Sequence, residues 1–140
     1  MTLTTSAHYQ QIMDKIGREE CVILDGAVAT ELQARGARDV RLSDSDHWGF
    51  EALQNLPQSV IDVHKSYLEA GCDVITTNSY GILDATGQGS SALSLGSTPM
   101  HWMDLARASI RLARQSIADL GRSDECAVAF SIGGDVVTDE

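Results

Sequence analysis

Three short clusters hold the residues best suited to chemistry: Asp25-Gly26-Ala27, Thr76-Thr77-Asn78-Ser79-Tyr80 and Ser131-Ile132-Gly133-Gly134. In the first, Asp25 can take the charge of an amine, Gly26 lets main chain approach a ligand, and Ala27 offers an N–H where a helix begins. Capping of the helix that runs through Ala29 accounts for Asp25 equally well. Thr76 to Tyr80 supplies hydroxyls and an amide to a small polar ligand, and reads just as well as a strand end of β-formers with Asn78 in a turn. Gly133-Gly134 could cradle a phosphate, yet no GK[ST] or complete GxGxxG accompanies it.

The other candidate groups are more scattered. Cys21, Cys72 and Cys126 contain no CxxC pair and are odd in number, so they form neither a disulfide framework nor a sequence-local zinc motif. A three-thiolate metal site is conceivable, although buried cysteine acting as a small hydrophobe is the commoner role. His64 shares a helix face with Tyr67 and Leu68, which reads as packing. His47 and His101 stand beside Trp48 and Trp102 at irregular or helix-entry positions. Neither a Ser-His-Asp order nor a GxSxG elbow is present.

These clusters need elements to carry them. Tyr9, Ile12, Met13 and Ile16 predict one face of a helix over 8–18, and Cys21-Val22-Ile23-Leu24 predicts a strand buried on both faces. A helix over 27–35 follows, with Gly36 in the capping position. Residues 37–50 are polar and irregular, with 43–47 a loop or helix entry. Pro57 opens a second helix, whose Val60, Ile61, His64, Tyr67 and Leu68 repeat at helical spacing until Gly71 closes it. Residues 72–77 form a second strand, and 81–99 a glycine- and serine-rich loop. The longest helix runs from Met100 to Leu120, and Cys126 to Ile132 gives a third strand.

Apolar strands alternating with amphipathic helices predict an α/β fold with a parallel sheet of three strands. Ligands of such sheets bind beyond the carboxyl ends of the strands, where all three clusters fall. The cysteines begin the strands, about 16 Å away at ~3.3 Å per residue.

With 140 residues the chain is of single-domain size. Its 43% hydrophobic and 21% charged residues suit a folded core. A formal charge of -10 repels phosphate backbones and anionic lipid, which argues against nucleic-acid and membrane partners. The N-terminus lacks a basic region and an apolar run, and no stretch approaches the ~18 apolar residues of a membrane span, so a cytoplasmic protein is expected.

Ile23 to Gly36, Val63 to Tyr80 and Ala127 to Gly133 together resemble the homocysteine S-methyltransferase family. The three motifs arrive in family order and at family-like spacing. The resemblance covers about 20–135 and is poorest at 81–99. It implies a (β/α)₈ barrel in which zinc, held by cysteine thiolates, keeps homocysteine sulfur deprotonated for attack on the methyl group of a sulfonium, giving methionine. It also implies that Asp25 and the Gly26-Ala27 main chain meet the amino-acid end of homocysteine, with Thr77, Asn78 and Ser79 lining the pocket.

The family's zinc cysteines belong to a late strand and a C-terminal glycine-rich motif. Cys21, Cys72 and Cys126 match none of them, so no metal ligand carries over. Because a complete barrel takes about 250 residues, residues 1–140 are expected to form its N-terminal portion: a partial TIM barrel, inactive alone. An open sheet would leave Val22, Leu24, Val74, Val128 and Phe130 with an uncovered face or edge, which predicts self-association. The alternatives are a non-catalytic amino-acid-binding or assembly module that uses the sheet as an interface, and a zinc protein built on the three cysteines.

Overall fold

The computed structural model describes residues 6–36, 49, 52–82 and 102–133. Five helices and two strands follow in the order α1 (Ala7–Gly17), α2 (Val28–Ala34), α3 (Ala52–Asn55), α4 (Pro57–Glu69), β1 (Val74–Thr76), α5 (Trp102–Asp119) and β2 (Ala127–Ala129). Each strand is three residues long, and they pair in parallel with Val74 opposite Ala127 and Thr76 opposite Ala129.

Helix α4 starts with a proline at its first turn, where a missing N–H costs nothing, and buries Val60, Ile61, Val63, His64 and Leu68. It lies against α5, whose facing residues include Ala108, Ser109, Ala113 and Ser116, all small enough for close approach. The two buried serines do not strand their hydroxyls. Ser109 donates to the carbonyl of Ala106 and Ser116 to that of Leu112, each at 2.8 Å. One core cluster joins α4 and α5 to Leu32 of α2 and Leu53 of α3. A second, with Leu68, Cys72, Ile75, Ala113, Ile117 and Cys126, seals the helices onto the sheet.

Helix α1 is attached differently. Ser6 caps it by accepting the N–H of Tyr9 at 3.2 Å, but none of its residues is buried. Polar contacts tether it instead: Lys15 to Asp73 at 2.7 Å, and the Gln11 side chain to the carbonyl of Asp124 at 2.7 Å. Its predicted apolar stripe is therefore largely open, with Tyr9, Met13 and Ile16 exposed.

The expected third strand is not formed. Residues 21–24 contribute a single parallel bridge, Leu24 to Val74, beside the two-stranded sheet. Nor is the segment buried on both faces, because Ile23 is 53% and Leu24 65% exposed. The physical reason lies in two side chains. The next ladder position would have Thr76 N–H bond the carbonyl of Asp25, but it bonds the Asp25 carboxylate at 2.8 Å. On the other side of the bridge, Ile23 N–H goes to the Asp73 carboxylate at 2.9 Å. Carboxylates thus replace main-chain acceptors on both sides of the bridge.

Of the apolar residues expected to be uncovered, Leu24 and Phe130 are exposed, Val22 and Val128 are half-buried, and Val74 is buried. The short helix α3 was not anticipated. Residues 43–47 and nearly all of the loop at 81–99 lie outside the described residues. Among the described residues, no helix is long and apolar enough to cross a membrane.

His64 is fully buried, and neither ring nitrogen has a hydrogen-bond partner among the described residues. Burial lowers its pKa to about 4, from an ordinary value of 6.5. The unfolded chain therefore takes up a proton at a pH where the folded chain refuses it. His64's part in stability should be intact above pH ~6.5 and fall by about 3 kcal/mol as the pH drops to ~4. Urea unfolding of wild type and His64→Leu across this range checks it: the slope should shrink in the variant, and an unchanged slope would contradict the assignment.

Candidate functional site

The carboxyl ends of residues 23–25 and of β1 meet at Asp25. Its N–H donates to the carbonyl of Val74 at 3.0 Å, which brings the side chain alongside Thr76. One carboxylate oxygen accepts the Thr76 N–H at 2.8 Å, and the other accepts the Thr76 hydroxyl. Helix capping, the alternative use of Asp25, does not occur: the residue in the capping position of α2 is Ala27, with no side-chain bond to the helix. Half-burial pushes the Asp25 carboxyl above its ordinary pKa, and the two donors of Thr76 work against that rise.

Gly26 is required by a close approach. A Cβ there would lie 2.6 Å from the hydroxyl oxygen of Tyr67, whose O–H donates to the carbonyl of Ala27 at 3.2 Å. Tyr67 of α4 thus braces the turn that carries Asp25, while Gly26 and Ala27 themselves remain exposed. A second close approach occurs across the sheet, where a Cβ on Gly133 would overlap the ring of Tyr80.

Thr77, Asn78 and Ser79 are all buried. The hydroxyls of Thr77 and Ser79 are 2.7 Å apart. Thr77 also accepts the N–H of Ser131 at 2.9 Å, and Ser79 donates to the carbonyl of Ser131 at 2.6 Å. The pair therefore ties the segment after β1 to the segment after β2. Asn78 points elsewhere, its amide donating to the carbonyl of Gly49 at 2.9 Å.

Of the six candidate residues, Asp25, Gly26 and Ala27 form one unit braced by Thr76 and Tyr67. Thr77 and Ser79 form another with Ser131, and Asn78 anchors Gly49. Three contributors had no separate role on sequence grounds. Thr76 and Tyr67 look like ordinary strand and helix residues, and Asp73 looks like a polar lead-in to a strand.

Asp73 closes the opposite side of the bridge. It accepts the Ile23 N–H and pairs with Lys15. Burial alone would raise its pKa, but the Lys15 hydrogen bond, the Ile23 N–H and the nearby cations outweigh it and hold the group below its ordinary value. The two aspartates differ in this respect because a lysine ammonium pairs with Asp73 alone.

The amino ends of the strands do not form a metal centre. Cys72 and Cys126 are buried, with the Cys126 thiol donating to the carbonyl of Cys72 at 3.1 Å, while Cys21 is exposed. Burial first, then the neighbouring Cys126, pushes the Cys72 thiol up to about 11, away from the thiolate that a metal needs. Among the described residues, no group of three or more His, Cys, Asp or Glu could hold a metal ion. The described residues do not fit zinc.

A groove of about 730 Å³ runs beside β2, between Tyr9 and Ile12 of α1 and Arg114 and Ile117 of α5. None of the six candidate residues lines it.

The polar turns of this parallel α/β chain lie at the carboxyl ends of its strands, the place where open α/β sheets bind their ligands. The homocysteine S-methyltransferase family profile matches residues 22–138. Homocysteine S-methyltransferase 1 of Zea mays is 36% identical over 122 residues, covering 81% of this chain and 35% of its own length. The homocysteine S-methyltransferase of Escherichia coli K12 is 33% identical over 122 residues, covering 84% and 36%. A selenocysteine methyltransferase of Astragalus bisulcatus is 36% identical over 113 residues, covering 81% and 30%. The crystal structure of the metallated form of the E. coli homocysteine methyltransferase MmuM superposes with a TM-score of 0.63 at 28% identity, over 91% of this chain and 42% of that one.

The chain belongs to the homocysteine S-methyltransferase family. It spans about a third of the length of these curated relatives.

Proposed function

We propose that the chain is the N-terminal, amino-acid-binding part of a (β/α)₈ barrel whose complete form transfers a methyl group from a sulfonium donor to homocysteine, giving methionine. The observation that carries this reading is the Asp25 carboxylate, held by two donors at the carboxyl end of the parallel strands, in a chain of this family. Asp25 takes the ammonium group of homocysteine, while Gly26 and Ala27 leave the main chain open beside it. Thr77, Asn78 and Ser79 form the wall, with the Thr77–Ser79 pair keeping the turns after β1 and β2 in step.

Methyl transfer by such enzymes needs the homocysteine sulfur as a thiolate. Nothing among the described residues supplies the metal that would hold it so. We infer that residues 1–140 bind without catalysing, because Cys21, Cys72 and Cys126 match none of the cysteines to which the resemblance assigns zinc. Calorimetry with homocysteine should give binding that Asp25→Ala abolishes, and a methyl-transfer assay of the chain alone should give no methionine. Absence of binding by folded protein would sink the pocket, and turnover by the isolated chain would overturn the assignment of inactivity.

An assembly role is supported by a different observation. Because Ala127 N–H and the carbonyl of Ala129 bond to the β1 segment, the alternation of a parallel ladder turns the N–H and C=O of Val128 to the outer side of β2. Phe130 and Ile132 beyond it are exposed. Sedimentation velocity at micromolar concentration should show self-association, and a sharp monomer boundary would contradict it.

A further inference from the structure

The carboxylate assigned above to the ligand's ammonium is aimed by a residue that the assignment leaves without a role. We propose that Thr76 is the positioning residue of the amine site, holding the Asp25 carboxylate in one orientation for an incoming ammonium group; this rests on the reading of Asp25 as the amine ligand.

Three features of the geometry point the same way. First, Thr76 supplies both donors, its N–H to one oxygen at 2.8 Å and its hydroxyl to the other. A carboxylate offers about four lone-pair sites, so each oxygen keeps acceptor capacity for a ligand. Second, Thr76 is paired with Ala129 in the β1–β2 ladder, so its N–H has a fixed direction and the carboxylate takes its orientation from the sheet. Third, both donors are neutral. An arginine or lysine in their place would cancel the charge that an ammonium needs, whereas an N–H and an O–H orient the group and leave it anionic. The lysine nearby, Lys15, is committed to Asp73 on the opposite side of the bridge.

A merely structural threonine makes a different prediction. Valine has the same shape, the same β-branching and the same main-chain N–H, so Thr76→Val should then be silent. If Thr76 positions Asp25, valine leaves one oxygen without its donor.

The test uses the full chain as wild type, Thr76→Val, Thr76→Ser and Asp25→Ala, with two probes: homocysteine, and 4-mercaptobutanoate, which is homocysteine without its amine. Thr76→Val should weaken homocysteine binding on the order of tenfold, the effect of losing one hydrogen bond to a charged group, and leave 4-mercaptobutanoate unchanged. Thr76→Ser, which keeps the hydroxyl, should restore homocysteine binding. In carbon-detected NMR titrations, the Asp25 carboxyl should titrate higher in Thr76→Val than in wild type, and as wild type in Thr76→Ser. Homocysteine binding lost in Asp25→Ala but unchanged in Thr76→Val would overturn the positioning role alone. Homocysteine binding unchanged in Asp25→Ala would overturn the amine assignment and the positioning role with it.

Discussion

Residues 23–25 are held to β1 by two carboxylates flanking one main-chain bridge, and the arrangement of the molecule follows from this. Asp73 takes the N–H of Ile23 while its own N–H donates to the carbonyl of Ile23 at 2.7 Å, so the two residues close a reciprocal pair. Asp25 takes the N–H and hydroxyl of Thr76 on the other side. Asp73 also receives Lys15 from α1 and, through its carbonyl, the N–H of Ala127 at 2.9 Å. One side chain and its peptide group thereby connect α1, residues 23–25, β1 and β2. Each carboxylate supplies a part-buried main-chain N–H with the acceptor that a neighbouring strand would otherwise provide.

The same device gives the two aspartates opposite electrostatic characters. At Asp73 the Lys15 hydrogen bond, the Ile23 N–H and the nearby cations outweigh burial and hold the carboxyl below its ordinary pKa. At Asp25 the opposing groups are the neutral donors of Thr76 and the residue's own main chain, and burial prevails. A carboxylate that is oriented but not neutralised suits a site for a cationic group, and it stands at the carboxyl end of the strands where ligands of parallel sheets bind. The open sheet is the counterpart of this economy. Leu24 is left largely exposed, and the N–H and C=O of Val128 face the outer side of β2. In a complete barrel both positions would adjoin further strands.

Much of the fold was legible because it rests on periodicity. The stripe from Val60 to Leu68 and the one from Leu105 to Ile117 are the faces that α4 and α5 bury against each other, and their ends agree with Pro57, Gly71 and Gly121. The parallel arrangement of β1 and β2 followed from the helix between them. Residues 21–24 are not the buried strand their composition predicts, because Val, Ile and Leu report apolar character and not the number of neighbours available to cover it. That Asp25 and the segment after β1 meet at the carboxyl ends of the strands was legible from chain order. The bonded partners there were not, since Thr76 bonding Asp25 is a contact between distant positions of unremarkable composition. The same holds for Asp73: nothing in Cys72-Asp73-Val74 indicates that its carboxylate replaces a strand's acceptor.

Native-state hydrogen exchange of two amides reports whether carboxylates complete the attachment of residues 23–25 to β1. The N–H groups of Ile23 and Thr76 should be protected in the wild-type chain, and Asp73→Ala should release Ile23 while Thr76 and the adjoining ladder amide of Ile75 stay slow. Exchange of Ile23 and Thr76 at the rate of open main-chain amides in the wild-type protein, with Ile75 protected, would contradict the account.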